Sequence, residues 1–269
     1  MKKESRLFIA GGIIYLAGAI IFILSAVTSA FGQQSPSPVW RSSPAIAQQV
    51  ADAGEESHYE VMTLYSSQAE PVAPEAVKQA AENTCRVRVR FNQGGRDFTD
   101  WGSGCLVKTD RPGHYYVITA AHVVEQAGGG ESVEVEFWNG EKFIGAVVGE
   151  DRGADTATVK LRGGPTLPGA EFRACGCDPA VGEQVFFLGY AQITNLTYRS
   201  GTVRSVNGRA IMASGNSIDG MSGGPVFDIK GRLLGDLFGT DDVNTFFARP
   251  SEVLRINRNL FAAPNAGEA

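Results

Sequence analysis

The chain has 269 residues, of which 43% are hydrophobic and 20% charged, and this apolar content excludes an intrinsically disordered protein. Its 33 Gly follow no fixed period and it contains only 12 Pro, which excludes a collagen-like or low-complexity chain. The formal net charge of −5 argues against nucleic acid as the main partner, because a phosphate backbone is bound by a basic surface.

Residues 1–32 have the pattern of a targeting segment. A basic start precedes residues 7–27, which are uncharged and mostly apolar. Because about 20 apolar residues span a bilayer as a helix, this run predicts a transmembrane anchor with a cytoplasmic N-terminus and an exported C-terminal part. A cleaved signal peptide is the alternative, since Thr28-Ser29-Ala30 is an acceptable cleavage site. Both interpretations predict export.

Residues 33–83 are predicted to form a flexible stalk. They contain Ser35-Pro36-Ser37-Pro38 and further Pro residues among Gln, Ala, Ser and Glu. This composition is typical of a solvated linker. A short helix over residues 77–82 is an alternative for its last part.

From Thr84 onward the sequence predicts an all-β domain. Residues 86–91 alternate polar and apolar side chains, the pattern of a half-buried strand. Similar runs recur about every 10 residues, a spacing typical of sandwiches and barrels, and Asn139-Gly140 and Asn207-Gly208 predict hairpins between them. The predicted strands are 86–91, 104–108, 114–119, 133–138, 142–148, 156–161, 184–189, 197–206, 209–213, 224–229, 233–238 and 245–248.

The end of the domain is predicted to be helical. Ser251 is a favourable N-cap residue directly after Pro250, and the pair predicts a short C-terminal helix over residues 251–260.

Ser222 lies in a glycine-rich segment, Gly220–Pro225. Glycines allow a tight turn in which a Ser side chain projects while nearby N–H groups point the same way. Acyl transfer needs this combination, because a hydroxyl attacks a carbonyl carbon and N–H donors stabilise the resulting oxyanion. A glycine-serine loop without chemistry is the alternative.

Residue order decides among the serine hydrolases. No His follows Ser222, which excludes the order of the α/β-hydrolases. The order Asp, His, Ser of subtilisin comes with alternating strands and helices, which this β-rich chain lacks. The remaining order is His122, Asp155, Ser222, with Asp155 directly before the strand 156–161. Asp151 is a rival for the acid, but its charged neighbours favour a solvated turn.

Three segments, Thr119–Val124, Asp155–Leu161 and Gly220–Pro225, together resemble the catalytic motifs of the chymotrypsin-like (trypsin-fold) serine proteases. Residues 101–107 and 181–190 are similar to strands of the bacterial Deg-like branch of that family. The resemblance covers about residues 84–260. Too few residues follow it for the PDZ domains of many Deg-like proteases, so none is expected.

The resemblance implies a fold of two six-stranded antiparallel β-barrels. Barrel 1 would cover about residues 84–162 and barrel 2 about 166–250, within a protease domain over 84–269 that ends with the helix 251–260.

The resemblance also implies an activity, the hydrolysis of peptide bonds in protein or peptide substrates through an acyl-enzyme, with no metal or organic cofactor. His122 would be the general base, Asp155 would orient it and Ser222 would be the nucleophile. The backbone N–H groups of Gly220 and Ser222 would form the oxyanion hole. Four residues are expected at the substrate: Asn216 at the base of the primary pocket, and Leu237, Phe238 and Gly239 along an extended peptide.

Met221 departs from the family pattern. Digestive members carry an Asp there that pairs with a newly cut N-terminus, and a thioether cannot form that ion pair. Activation by cleavage is therefore not expected, and the geometry of the oxyanion loop is left open. A protease-fold binding module with an inactive or partner-dependent site is the alternative to a membrane-tethered endopeptidase.

The four Cys allow three pairings. Cys85 and Cys105 lie on neighbouring predicted strands, where they could approach each other. Cys175 and Cys177 are too close in sequence to bond each other without strain.

Overall fold

The computed structural model describes residues 73–128, 132–173, 176–192, 195–241, 243–258 and 260. The chain divides into two units, residues 1–59 and 60–269, and all described residues belong to the second. The predicted anchor over 7–27, and the predicted stalk up to residue 72, lie outside the described residues. Within the part that is described, no helix has the length and apolar character to cross a membrane.

The described residues form two closed antiparallel barrels of six strands each, as predicted. In barrel 1 the strands follow the order β1-β2-β3-β6-β5-β4 around the barrel. They are β1 (Thr84–Gln93), β2 (Arg96–Val107), β3 (Tyr116–Thr119), β4 (Val133–Phe137), β5 (Lys142–Asp151) and β6 (Thr156–Leu161).

Barrel 2 repeats this architecture with the order β10-β11-β12-β9-β8-β7. Its strands are β7 (Gln184–Ala191), β8 (Asn195–Asn207), β9 (Ala210–Ser214), β10 (Pro225–Asp228), β11 (Leu233–Thr240) and β12 (Asn244–Ala248). Each predicted strand coincides with an observed one, and most boundaries differ by one to three residues.

Strand β2 differs most, because it begins at Arg96 rather than at residue 104. Gln93 pairs with Arg96 across a two-residue turn, Gly94-Gly95, in which both residues have positive φ, at 59° and 77°. Such a turn matches the twist of a hairpin and favours residues that tolerate positive φ, Gly above all. The polar half of β2 is therefore set by the turn and by pairing with β1, and hydrophobic alternation does not reveal it.

The last part of the predicted stalk belongs to the folded domain. Helix α1 (Glu75–Ala81) buries Val77, Ala80 and Ala81 in the hydrophobic cluster that also contains Leu233 of barrel 2. The turn before β11 fits closely under it, since a Cβ on Gly231 would lie 2.4 Å from the carbonyl oxygen of Ala76. Residues 73–83 are thus not a solvated linker, because their small apolar side chains pack on the barrel.

Helix α2 (Pro250–Ile256) ends earlier than predicted. Its N-cap residue is Arg249 and not Ser251, because Pro250 already lies in the first turn. Its end is set by Asn257, which is buried. The Asn257 side-chain amide donates to Val253 O at 2.7 Å, and its Oδ1 accepts from the Thr158 hydroxyl at 2.7 Å. The first bond caps the C-terminal end of the helix, and the second connects this end to strand β6 of barrel 1.

Cys85 and Cys105 are buried free thiols, so the suggested disulfide between them is wrong. In the β1–β2 register Cys85 lies opposite Gly104, and Cys105 lies opposite Thr84. Because neighbouring residues of a strand point to opposite faces, the two sulfurs lie on different faces of the sheet. Cys177 is disulfide-bonded, and Cys175 lies outside the described residues.

Candidate active site

His122 is carried by a 3₁₀ helix, Ala121–Val124, that follows strand β3. The apolar residues of this helix are buried, whereas the His122 side chain is 38% exposed. Gly102 of β2 fits against the helix, since a Cβ there would lie 2.6 Å from Val123 Cγ2 and 2.8 Å from the carbonyl oxygen of Ser222. The glycine lets β2 approach the helix of His122 and the loop of Ser222 together.

Asp155 binds this helix at three points. Its Oδ2 lies 2.8 Å from His122 Nδ1, and its Oδ1 accepts from the His122 backbone N–H at 2.9 Å. The carbonyl oxygen of Asp155 accepts from the Ala121 N–H at 3.2 Å. These bonds satisfy N–H groups that the first turn of a helix leaves without partners. Asp155 has φ 51°, a left-handed conformation that Asp tolerates better than most residues.

Asp151, the rival acid, is engaged elsewhere. Its carboxylate accepts from Arg209 at 2.9 Å and contacts Arg255, and the backbone N–H groups of Gly153 and Ala154 donate to it at 2.8 and 3.1 Å. Burial by itself raises the pKa of this carboxyl, but the four donors outweigh burial, so its pKa lies below the ordinary value. Asp151 stabilises a turn and an ion-pair network.

Ser222 lies where the two barrels meet. The Ser103 N–H of β2 donates to the carbonyl oxygen of Ser222 at 2.7 Å. Gly223 packs with φ 82°, and a Cβ on it would lie 2.2 Å from Thr119 Oγ1, at the end of the strand that leads to His122. The loop of Ser222 therefore touches the segment that carries His122, although no hydrogen bond joins the two side chains among the described residues.

The backbone N–H groups of Gly220 and Ser222 have fixed orientations, because the carbonyl oxygen of each of the two peptide units accepts a hydrogen bond. The carbonyl oxygen of the peptide that ends at Gly220 accepts from the Gln192 N–H, and that of the peptide that ends at Ser222 accepts from the Gly224 N–H, both at 2.8 Å. In a planar trans peptide the N–H points opposite to the carbonyl. Neither N–H has an acceptor within the described part of the chain, so both are available to an oxyanion.

Met221 anchors this loop in the interior of barrel 2. Its side chain is fully buried in the barrel 2 core, and the Ile218 N–H lies 3.4 Å from its Sδ. A Cβ on Gly189 would lie 2.7 Å from Met221 Cα, so strand β7 approaches the loop closely. Burial of the thioether thus holds the loop against the core of barrel 2.

Asn216 lies beside the end of β11, with its Oδ1 3.0 Å from the Thr240 hydroxyl. The neighbouring Ser217 N–H donates to Thr245 Oγ1 at 2.9 Å. Both side-chain partners at this position are neutral hydroxyl groups.

Leu237, Phe238 and Gly239 lie on β11 but differ in what they offer. Leu237 is buried, and its carbonyl and N–H bind Gly223 N and Gly224 O at 2.6 and 2.8 Å. Phe238 lies at a register shift between Leu237 and Gly239. The main-chain groups of Leu237 are thus used by the Ser222 loop, which leaves Phe238 and Gly239 as the candidates to pair with a peptide.

The structure adds two carboxyl groups near the site that sequence reasoning left without a role. Burial, followed by the charge of Glu125, raises the pKa of Asp100, while nearby His122 works against this. Asp236 of β11 is fully buried, accepts from the Thr156 hydroxyl at 2.8 Å, and has a pKa that burial raises well above its usual range. Asp236 could have been noticed in the sequence, because it is the one charged residue within the apolar run 233–238.

Comparison with known proteins finds matches within the two-barrel domain. Residues 102–235 match the family model described as the trypsin-like peptidase domain. A probable serine protease do-like of Buchnera aphidicola is 26% identical over 161 residues, which cover 56% of this chain and 32% of the relative. A serine protease of Mycobacterium tuberculosis is 32% identical over 168 residues, which cover 54% of this chain and 38% of the relative. The match thus spans about a third of the length of these relatives.

A solved structure of an HtrA-type protease, AlgW, with a decapeptide has the same fold. It aligns with a TM-score of 0.56 at 17% identity and covers 68% of this chain and 64% of that one. At this level of identity the similarity supports the fold alone, and it agrees with the strand order of the two barrels.

Proposed function

The chain belongs to the trypsin-like peptidases, and we propose that it is a serine endopeptidase that uses His122, Asp155 and Ser222. The observation that carries the proposal is the pair of hydrogen bonds from His122 to the Asp155 carboxylate, at 2.8 and 2.9 Å. They fix the imidazole ring and the main chain of His122, whose exposed side chain lies beside the Ser222 loop.

In the proposed mechanism Asp155 determines which nitrogen of His122 carries the proton. A carboxylate at Nδ1 keeps the proton there, which leaves Nε2 free to accept the proton of the Ser222 hydroxyl. The Ser222 oxygen then attacks the carbonyl carbon of the peptide bond, and His122 returns the proton to the leaving amine. Water attacks the resulting acyl-enzyme by the same route and releases the second product.

The N–H groups of Gly220 and Ser222 are proposed to stabilise the oxyanion of each tetrahedral intermediate. Their orientation is supported by the carbonyl bonds to Gln192 and Gly224. Because these donors are fixed before the reaction, they need no reorganisation when negative charge develops.

The proposed substrates are proteins or peptides that bind in extended form along β11. Phe238 and Gly239 would supply main-chain groups for pairing, as in β-strand addition. The HtrA-type neighbour was solved with a decapeptide, which supports a peptide ligand for this fold. The neutral side chain of Asn216 disfavours a primary pocket for Lys or Arg, and Phe238 and Gly239 favour a small or apolar residue.

The sequence supports an exported protease domain tethered by residues 7–27, with the N-terminus in the cytoplasm. The run is long enough to span a bilayer and follows a basic start. Cell fractionation with N-terminal sequencing tests this proposal. An intact N-terminus in the membrane fraction supports the anchor, and a mature chain that begins near residue 31 supports a cleaved signal peptide.

Hydrolysis of an internally quenched peptide library tests the activity. We expect turnover by the wild type and a loss of about 10⁴–10⁶-fold in kcat for Ser222→Ala. Because this change removes one partly exposed hydroxyl, the free energy of unfolding should stay within about 1 kcal/mol. Equal turnover by the variant would overturn the assignment, and a folded wild type without turnover would favour a binding module.

A further inference from the structure

We propose that Ser103 is a positioning residue whose side-chain hydroxyl sets the conformation of the oxyanion loop 220–224. The inference rests on the proposed peptidase function and adds a residue to it that does not touch the reacting atoms. Ser103 lies on β2 of barrel 1 and is fully buried, whereas the loop belongs to barrel 2.

All hydrogen-bonding groups of Ser103 are engaged at this junction. Its carbonyl oxygen accepts from a side chain of barrel 1, and its other groups bind barrel 2. The four bonds are Ser103 N to Ser222 O at 2.7 Å, Ser103 Oγ to Gly220 O at 2.7 Å, Tyr190 N to Ser103 Oγ at 2.8 Å, and Thr119 Oγ1 to Ser103 O at 2.7 Å.

The direction of the hydroxyl bond is determined by its neighbours. The Tyr190 N–H can only donate, so the Ser103 oxygen accepts from it and has its single proton left for Gly220 O. A Cβ on Gly189 would lie 2.9 Å from Ser103 Oγ, so the close approach of β7 holds the hydroxyl in place. Ser103 is therefore a fixed donor aimed at one carbonyl oxygen.

That carbonyl belongs to one of the two glycines of the loop that have positive φ. Gly220 has φ 92°, in a region where glycine has access to several conformations and other residues do not. The Ser103 bond holds the peptide unit that follows Gly220, whereas the Gly220 N–H belongs to the preceding unit, whose carbonyl is held by the Gln192 N–H. The two bonds together restrain the backbone of Gly220 from both sides. Without the Ser103 hydroxyl the orientation of this N–H would depend on the Gln192 bond alone.

Ser103 also links the loop to the segment that carries His122. Thr119, which donates to Ser103 O, is the last residue of β3, three positions before His122. The same residue thus holds the nucleophile loop of barrel 2 and the base segment of barrel 1, and only the bond to Gly220 depends on its hydroxyl proton.

Ser103→Ala in the full chain tests the inference, because it removes the two bonds of the hydroxyl, to Gly220 O and from Tyr190 N, and keeps the bonds of the Ser103 backbone. The matched control is Thr158→Val, which removes another buried hydroxyl of barrel 1 that binds Asn257 and lies outside the loop. We expect kcat of Ser103→Ala to fall about 10–100-fold, less than the 10²–10³-fold typical of a lost oxyanion donor, with KM within about twofold. The control should keep the wild-type kcat.

Inhibitor affinity distinguishes a specific effect on the oxyanion loop from a general loss of order in the active site. A peptide aldehyde forms a tetrahedral adduct with Ser222 that uses the oxyanion donors, whereas the matching product peptide does not. Ser103→Ala should weaken the aldehyde by the same factor as kcat/KM and leave the product peptide unchanged. Ser103→Cys, which keeps a weak donor, should lie between Ala and wild type.

Three outcomes would overturn the inference. They are an unchanged kcat in Ser103→Ala, an equal loss in Thr158→Val, and an equal weakening of both inhibitors. If Ser103→Ala does not fold, Ser103→Cys decides by the same inhibitor ratio. An inactive, folded wild type would instead contradict the proposed function, so the two failures are distinguishable.

Discussion

Asp155 holds His122 by its ring and by its backbone at the same time, with Oδ2 at 2.8 Å from Nδ1 and Oδ1 at 2.9 Å from the main-chain N. One carboxylate therefore fixes the tautomer of the imidazole and the start of the helix that carries it. Orientation of the base and local folding therefore depend on the same side chain. A substitution that keeps one of the two bonds and alters the other can separate the two roles.

Asp155→Asn is expected to abolish most activity while the fold is kept. The amide still offers an oxygen to the His122 N–H, but its NH₂ group favours the wrong imidazole tautomer, and kcat should fall by about 10⁴-fold. Steady-state kinetics and thermal melting measure the two effects. Asp151→Asn is the matched control and should keep kcat, so a comparable loss in both variants would refute the assignment of the acid.

Asp151→Asn is expected to alter the pH dependence of stability at acidic pH. The folded pKa of Asp151 is lowered, so its contribution is present above the unfolded pKa of about 3.9 and is lost as pH falls through the folded value. Melting temperatures between pH 7 and pH 2 should therefore converge for wild type and variant as the solution becomes acidic. A constant difference would show that the charge of Asp151 is not involved.

Asp236→Asn is expected to show the opposite trend. The pKa of Asp236 is raised by burial, opposed by the Thr156 hydrogen bond and reinforced by the nearby charge of Asp155. The folded protein then keeps a proton that the unfolded chain releases, so stability falls as pH rises above about 3.9. Relative to wild type, Asp236→Asn should gain stability between pH 4 and pH 7 in urea unfolding. Parallel pH profiles would contradict the account.

Met221→Ala is expected to destabilise barrel 2 and disturb the oxyanion loop together. Removing a fully buried Met side chain costs about 2–5 kcal/mol, whereas Met221→Leu, which conserves volume, should cost less than about 1.5 kcal/mol. Denaturant unfolding gives the free energies, and kcat of the folded fraction reports on the loop. A stable, fully active Met221→Ala would show that the loop does not depend on this anchor.

Sequence alone predicted the elements that depend on local patterns. Strand β6 was predicted with its observed ends, because its apolar residues face the core of barrel 1. Strand β2 was predicted too short, since its polar half is defined by the Gly94-Gly95 turn. Alternation cannot show this, because it registers burial and not pairing.

The parts of the site that were missed depend on contacts across the two barrels. The bond from Ser103 Oγ to Gly220 O joins residues 117 positions apart, and no local pattern around either residue indicates it. The positions of Cys85 and Cys105 depend on a single step of strand register, which hydrophobic pattern and spacing left open. Packing of α1 on barrel 2 could not be predicted either, because Ala residues are common both in linkers and in helices that pack closely on a neighbour.

The measurement that tests the central claim most directly is labelling of the full chain with a fluorophosphonate probe. This reagent reacts only with a Ser that a base activates and whose adduct oxygen is stabilised by N–H donors. The account predicts labelling of the wild type, none of Ser222→Ala, and almost none of His122→Ala. Absence of labelling in folded wild-type protein, or labelling that persists in Ser222→Ala, would contradict it.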